Sequence, residues 1–370
     1  MFFTRTIKKM TTQDNNYNQR YSEIRELAKG GQGTLFSAHD TLLERKVAIK
    51  SYNSSAQDLQ KEIDFYKKIH SPHVAEIYDI INIQVGNETK ICTVQEYVDG
   101  IELTPLNPSE KNTDDFLLTI YQIAKGILDI HSSDFVHRDL KPENIKYDRE
   151  GIIKILDPGI SNNLAQSDQT QIARGTRGYA APELFTSDSP VKLGKEIDIY
   201  SFGVICRWLS SNIVCEQLYQ VPPQSLSNCE SVRAISQFEL PDDVINLIDL
   251  SINPNPEQRP TITEIFETLE KFILYGKHIA ELIAHNTIYK ITKIGAGLKI
   301  SHSNHGQISI SYTGTDFIVQ AASGSVYINN HPATEGSKIP SSCVITIGSH
   351  SIGPARLFAT FNISHPGVTL

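Results

Sequence analysis

His137-Arg138-Asp139-Leu140-Lys141-Pro142-Glu143-Asn144 is the stretch that most narrows what this chain can become. It gathers a carboxylate, an ammonium two residues on and a carboxamide three beyond that, with a proline that bars the run from continuing as helix. The residues before it say where it sits. Phe116, Leu117, Ile120, Ile123, Ala124, Ile127 and Leu128 recur at spacings of three and four, the pattern of a well-buried helix leading into the polar run. Three further runs keep a fixed order around it. Val47-Ala48-Ile49-Lys50 lies upstream, Asp157-Pro158-Gly159 follows after a short strand, and Ala181-Pro182-Glu183 comes later.

At 370 residues the chain exceeds what one ordinary core fills, so two or three folding units are expected. The net charge of −8 is spread without a basic stripe, which argues against nucleic acid as the main partner. Cys92, Cys206, Cys215, Cys229 and Cys343 are odd in number, widely spaced and without a CxxC pair. A disulfide framework or zinc site is therefore not expected, and a reduced cytoplasm is. Arg5, Lys8 and Lys9 precede no apolar segment of signal-peptide type. No stretch approaches the ~18 apolar residues that cross a bilayer.

Residues 1–19 are polar and rich in Asn, Gln and Thr, and read as a loose arm. From Tyr21 the pattern is strand, glycine turn, strand, strand, then a helix over about Ala56 to Ile69 with Leu59, Ile63, Tyr66 and Ile69 at helical spacing. Strand-like Ala75 to Ile83 and Lys90 to Val98 complete a small antiparallel sheet. Beyond Gly100 helices dominate, with further ones around Ile197 to Ser210, Asp242 to Leu250 and Thr263 to Tyr275. The texture changes again near Gly276. Short alternating strands (Ile288–Ile294, Gln307–Tyr312, Phe317–Ala321, Ser325–Ile328, Val344–Ile347, Leu357–Ile363) are punctuated by Gly, Ser, His and Asn, which suggests a small β-sandwich.

The ordered runs resemble protein kinases: the eight-residue stretch matches the catalytic loop of that family. Eight specified letters recur by accident less than roughly once in 10^9 positions. The resemblance covers about Tyr21 to Tyr275. It implies an α+β, bilobal kinase fold over 20–275, with a small lobe over about 20–98, a large lobe over about 101–275, and Mg-ATP in the cleft. It also assigns residues. Asp139 is the base that accepts the acceptor proton, Lys141 neutralises the phosphoryl group in transfer, and Asn144 and Asp157 hold Mg2+. Lys50 holds the α- and β-phosphates, oriented by Glu62, which lies eleven and twelve residues before His73 and Val74. Gly30 and Gly33 of Ala28-Lys29-Gly30-Gly31-Gln32-Gly33 match the second and third glycines that let backbone close over phosphate, with Ala28 where the first stands. Leu27, Leu35 and Ala48 line the apolar roof. Backbone groups of Glu96 and Val98 pair with the base edge, Gln95 stands behind it, and Glu102 falls at the ribose.

Lys141, two residues after Asp139, follows the serine/threonine pattern, and Thr176 is placed against Asp139 and Lys141 to help select the acceptor. Arg138 beside the base implies control by a phosphate in the loop between Asp157 and Glu183, with Thr170 as the candidate site and Asp168 as a fixed charge near it. Glu183 with Arg259, and Asp198 with the catalytic loop, are implied scaffold pairs. Two departures stand out. Lys146 occupies the floor position where the family has an apolar residue, and its stem can pack under the base with the ammonium outward. Pro158 replaces the usual phenylalanine, lacks an N–H and fixes φ, which is expected to restrict the swing of that segment.

Residues 284–370 resemble a forkhead-associated (FHA) domain, a β-sandwich that reads phosphothreonine with its loops. The likeness rests on Ser303-Asn304-His305-Gly306-Gln307-Ile308, Gly324-Ser325-Val326-Tyr327-Ile328-Asn329-Asn330 and Cys343-Val344-Ile345-Thr346-Ile347-Gly348. It implies Ser303 at the phosphate and Asn330 (or Asn329) at the peptide backbone. The family's Gly-Arg is absent before the serine loop, where Ile294-Gly295-Ala296-Gly297 stands. Lys293, Lys299 and His302 are the candidate replacements.

The expected protein is thus a cytoplasmic serine/threonine kinase of bacterial or phage type, using ATP and Mg2+ on protein substrates and autophosphorylating its loop. The alternative is a nucleotide-binding pseudokinase scaffold that presents the sandwich, with Ala28, Lys146 and Pro158 as marks of decay.

Overall fold

The structure, a computed structural model, describes residues 20–30, 33–52, 56–85, 88–157, 176–185, 194–213, 215–220, 223 and 229–364. Pro158, Gly159, Asp168 and Thr170 lie outside the described residues. The chain divides into two compact units between Glu267 and Thr268.

In the first unit, β1 (Tyr21–Gly30), β2 (Gly33–Asp40), β3 (Arg45–Tyr52), β4 (Ile77–Val85) and β5 (Glu88–Glu96) form one antiparallel sheet in the order β1-β2-β3-β5-β4. Strand alternation turns Val47, Ile49, Ile81, Ile83, Cys92 and Val94 to one face, where they pack with Tyr21 and Ala38. Between β3 and β4 runs α1 (Ala56–Lys68), which buries Ile63, Phe65 and Tyr66. The helix expected before the catalytic run is α2 (Thr113–Ser132). It starts three residues before Phe116 because Asn112 caps it. The Asn112 side chain accepts from the Asp115 N–H at 3.0 Å, and the Asp115 carboxylate accepts from the Asn112 N–H at 2.9 Å.

The catalytic run leaves α2 and enters a small sheet of β6 (Ile101–Glu102), β7 (Ile145–Tyr147) and β8 (Ile153–Ile155). The helices α3 (Glu196–Ser211), α4 (Val232–Ile235), α5 (Asp242–Ser251) and α6 (Ile262–Ile273) follow. Asp198, in the first turn of α3, is fully buried and accepts from the N–H groups of His137 at 2.7 Å and Arg138 at 2.8 Å. His131 at the end of α2 adds a third bond at 2.9 Å. One carboxylate therefore fixes the run to two helices.

The second unit is all β. Strands β9 (Ala280–Ala284), β10 (Thr287–Ile291), β14 (Val326–Ile328), β15 (His331–Pro332), β16 (Ser342–Ile347) and β17 (Leu357–Ile363) make a six-stranded sheet in the order β10-β9-β17-β16-β14-β15. A second sheet holds β11 (Gly297–His302), β12 (Gly306–Tyr312) and β13 (Phe317–Gly324). Leu282, Ile345 and Phe361 of the first sheet share a core with Ile308, Ile310, Phe317 and Val319 of the second. Three expectations need correction. The strands begin at Ala280, ahead of the 284 start expected for the domain, the run expected to reach Ile294 stops at Ile291, and β11 is a strand beyond those expected. Ala, Glu and Gly are poor strand formers, so β9 and β11 carry little local signal and are held by their partners. Among the described residues, no helix is long and apolar enough to cross a membrane.

Candidate active site

The glycine-rich segment is a hairpin in which Ala28 faces Leu35 and Gly30 faces Gly33, its tip lying outside the described residues. Any side chain at Gly33 would meet the Ser51 carbonyl, since a Cβ there would lie 1.8 Å from that oxygen. A bulge between Glu26 and Ala28 sets Leu27 apart from the ladder, and it stays 48% exposed. Leu35 is half-buried and Ala48 is buried on the neighbouring strands.

Glu96 ends β5. Its carboxylate accepts from Lys154 at 3.0 Å and from the Glu76 N–H at 3.2 Å, so the side chain belongs to the scaffold and only its backbone can serve a ligand. Val98, two residues on, makes no main-chain hydrogen bond among the described residues. Gln95 is buried and donates to Thr93 Oγ1 at 2.8 Å and to the Tyr52 hydroxyl at 3.4 Å. The register places Glu102 opposite Lys146, and the Lys146 ammonium lies 3.8 Å from the exposed Glu102 carboxylate. The charge at this floor position has a partner toward solvent.

Lys50 is only 6% exposed, and its Nζ lies 3.0 Å from Asp157 Oδ1. Glu62, its expected partner, belongs to α1, with its side chain outside the described residues. Asp157 is brought in by a short relay: Leu156 donates its N–H to the Asn144 carbonyl at 2.8 Å and accepts at its own carbonyl from His137 Nε2 at 2.9 Å. His137 Nδ1 in turn accepts from the Asp139 N–H at 3.3 Å. These two bonds require the neutral ring, and complete burial pushes the imidazole below its ordinary pKa. Arg138 and Asp157, beside these groups, hold left-handed backbone with φ of 70° and 47°. Strained φ values of this kind collect where geometry matters more than stability.

Asp139, Lys141, Asn144 and Thr176 form one closed network. Lys141 Nζ donates to Asp139 Oδ2 at 2.7 Å and to Thr176 Oγ1 at 2.9 Å. Thr176 donates to Asp139 Oδ1 at 2.9 Å. Asn144 Nδ2 donates to the Asp139 carbonyl at 2.8 Å and to its Oδ2 at 3.2 Å, which turns the Asn144 side-chain oxygen away from Asp139. That oxygen and the Asp157 carboxylate are hard donors suited to magnesium. No group of three or more His, Cys, Asp or Glu among the described residues could hold a metal alone. A cation would be shared between these two residues and phosphate oxygens, as magnesium prefers. Arg259, with a fully buried side chain, grips Glu183 through two bonds of 2.7 and 2.8 Å.

In the second unit Ser303 lies in the turn between β11 and β12, with φ of 46°. That turn is tied to Ser325, which donates its N–H to the His305 carbonyl at 3.0 Å, and Ser325 accepts from the Gly348 N–H at 2.8 Å. Asn330 lies past the other end of β14, so the structure does not gather it with Ser303. Asn329 is spent on the fold, its side chain accepting from the Val344 N–H at 2.9 Å. Sequence reasoning missed Arg356, which follows the residue whose carbonyl bonds His302 Nε2 at 2.7 Å.

The model of the protein kinase domain matches residues 21–269. A probable serine/threonine-protein kinase of Dictyostelium discoideum is 28% identical over 270 residues, 66% of this chain and 37% of that protein. NUAK family SNF1-like kinase 1 of Homo sapiens is 30% identical over 267 residues, 68% of this chain and 38% of its own length. Serine/threonine-protein kinase PrkC of Bacillus subtilis is 31% identical over 203 residues, half of this chain and 29% of its own. The chain spans well under half the length of these relatives. With the catalytic network, the buried lysine and the match across both lobes together, the chain belongs to the protein kinase family.

Proposed function

We propose that the protein transfers the γ-phosphoryl group of ATP to serine and threonine hydroxyls of proteins. The Thr176 hydroxyl carries this reading, because it is held at 2.9 Å from both Asp139 Oδ1 and Lys141 Nζ. An acceptor hydroxyl brought to those groups gives its proton to Asp139, while Lys141 balances charge on the phosphoryl group moving in line toward it. Asn144 and Asp157 hold magnesium, which when bound neutralises phosphate charge. Lys50 positions the α- and β-phosphates, with Glu62 as its orienting partner. Gly30 and Gly33 admit backbone close to phosphate, Leu27, Ala28, Leu35 and Ala48 cover the base, the backbone of Glu96 and Val98 reads its edge, and Glu102 meets the ribose. Lys141 two residues after Asp139 supports serine and threonine as acceptors. A cytoplasmic location and a bacterial or phage type belong to the same reading.

The test is incubation with Mg-ATP, mapping of phosphate by mass spectrometry, and comparison with Asp139→Asn and Asp157→Ala. Phosphate is expected on serine and threonine, Thr170 among them, with a loss of about 10^2-fold or more in either variant. Nucleotide binding without transfer in the wild type would favour the scaffold alternative instead.

For the second unit we infer an FHA-like domain that reads phosphothreonine, with a cation different from the family's. Residues 302–306, 323–325 and 348–356 contain no Asp or Glu. Arg356 Nη1 is buried with no hydrogen-bond partner among the described residues. Ser303, His302 and Arg356 then take the phosphate. A phosphopeptide copied from around Thr170 should bind the full chain while its unphosphorylated form does not, and Arg356→Ala should weaken it about tenfold or more. Equal binding of both peptides would leave the unit as a phosphate-independent contact.

A further inference from the structure

Two cysteines that sequence spacing leaves unrelated meet in the first unit. Cys215 precedes the helical turn Glu216–Tyr219, and Cys229 stands shortly before α4. Their sulfur atoms are 2.7 Å apart, less than an ångström beyond the ~2.05 Å of a disulfide bond. Both are half-buried, within reach of small solutes, whereas Cys92, Cys206 and Cys343 are buried.

The two sulfurs belong to segments with different anchors. Beside Cys229, the Glu230 carbonyl accepts from Arg207 of α3 at 2.5 Å, and Asp249 of α5 accepts from the Val232 N–H at 2.8 Å and from Arg207 at 3.0 Å. This side is fixed to the helical core. Cys215 leads instead into a turn that buries Leu218 and leaves Tyr219 49% exposed. The Tyr219 ring packs on Gly178, where a Cβ would lie 2.8 Å from it. Gly178 is two residues from Thr176, whose hydroxyl sits between Asp139 and Lys141.

We propose that Cys215 and Cys229 are an oxidation site for hydroperoxides, forming a reversible intrachain disulfide that clamps the Cys215–Tyr219 turn behind the acceptor loop. The Cys215 sulfur attacks the hydroperoxide and breaks its O–O bond, giving a sulfenic acid and releasing alcohol or water. The Cys229 sulfur then displaces the sulfenic hydroxyl, which leaves as water with the Cys229 proton. Two thiols lose two electrons and two protons, the hydroperoxide is reduced, and a dithiol reverses the change. Burial, then the bond to Cys215, pushes the Cys229 thiol up to about 12, so Cys229 keeps its proton and is not the sulfur that attacks first.

The full chain should be treated with graded hydrogen peroxide, alkylated without reductant and mapped by mass spectrometry. A linked Cys215–Cys229 peptide pair is expected to rise with peroxide and vanish with dithiothreitol. Hydrogen exchange in peptides covering 176–180 and 215–220 should slow about threefold or more in the linked form, with no change in Cys215→Ser or Cys229→Ser. Neither readout needs phosphoryl transfer, so a failure of the kinase reading is seen separately. Resting on that reading, KM for a protein acceptor should shift about threefold or more while KM for Mg-ATP holds. Absence of the linked pair in folded protein, or a linked pair with unaltered exchange, overturns the proposal.

Discussion

Asp198 bonds two consecutive amides of the catalytic run and one histidine, all without solvent. Burial alone would raise its pKa, yet the His131 bond and the Arg138 amide hold it below the usual carboxylate range. Its contribution to stability is therefore present above the unfolded value of ~3.9 and is lost only in stronger acid. The buried imidazoles titrate earlier. His137 and His73 are both pushed down by burial, which for His73 outweighs the opposing pull of its 3.1 Å bond to the Ile153 carbonyl. A histidine that is neutral when folded and takes a proton near ~6.5 when unfolded supports the fold above that pH and weakens it below. The melting temperature should accordingly fall between pH 7.5 and 5.5, before Asp198 responds, and His73→Gln should flatten that slope. Thermal melts across the range decide it, and equal slopes in both proteins would remove His73 from the account. Asp198 and the Glu183–Arg259 pair were legible in the sequence because each sits in a run with fixed company. The Lys50–Asp157 contact was not, since residues 107 positions apart carry no local sign of meeting.

At the scale of elements, α2 shows what periodicity can and cannot tell. Its apolar stripe announces a buried helix, but its start is set by Asn112 and Asp115, a polar pair outside the stripe. Asn112→Ala should cost about 1 kcal/mol, within the 0.5–2 range for lost caps, with the active-site contacts kept. Urea denaturation followed by circular dichroism measures it, and an unchanged midpoint would mean that packing alone fixes the helix start. In the second unit the strands rich in Ile, Val and Phe were legible, while β9 and β11 were not. Their pairing partners hold them, and a partner's influence is not written in the segment it stabilises.

Across the whole molecule, the two units keep different amounts of information in plain view. A phosphoryl-transfer site needs particular atoms in a particular order along the chain, so its residues survive as short readable runs. A β-sandwich needs only alternation, turns and a filled core, which many sequences satisfy. That is why the first unit's catalytic run can be read as a motif, and why Asn330, chosen from a motif in the second, lies past the end of β14 that is away from the Ser303 turn. For the proposed phosphoryl transfer, the ion pair of Lys50 and Asp157 bears on how the site empties. A lysine this deeply enclosed is costly if its charge is left unanswered. With a carboxylate 3.0 Å away, the ammonium stays balanced when spent nucleotide departs. If the chain turns over ATP as proposed, product release strands no unbalanced charge at Lys50.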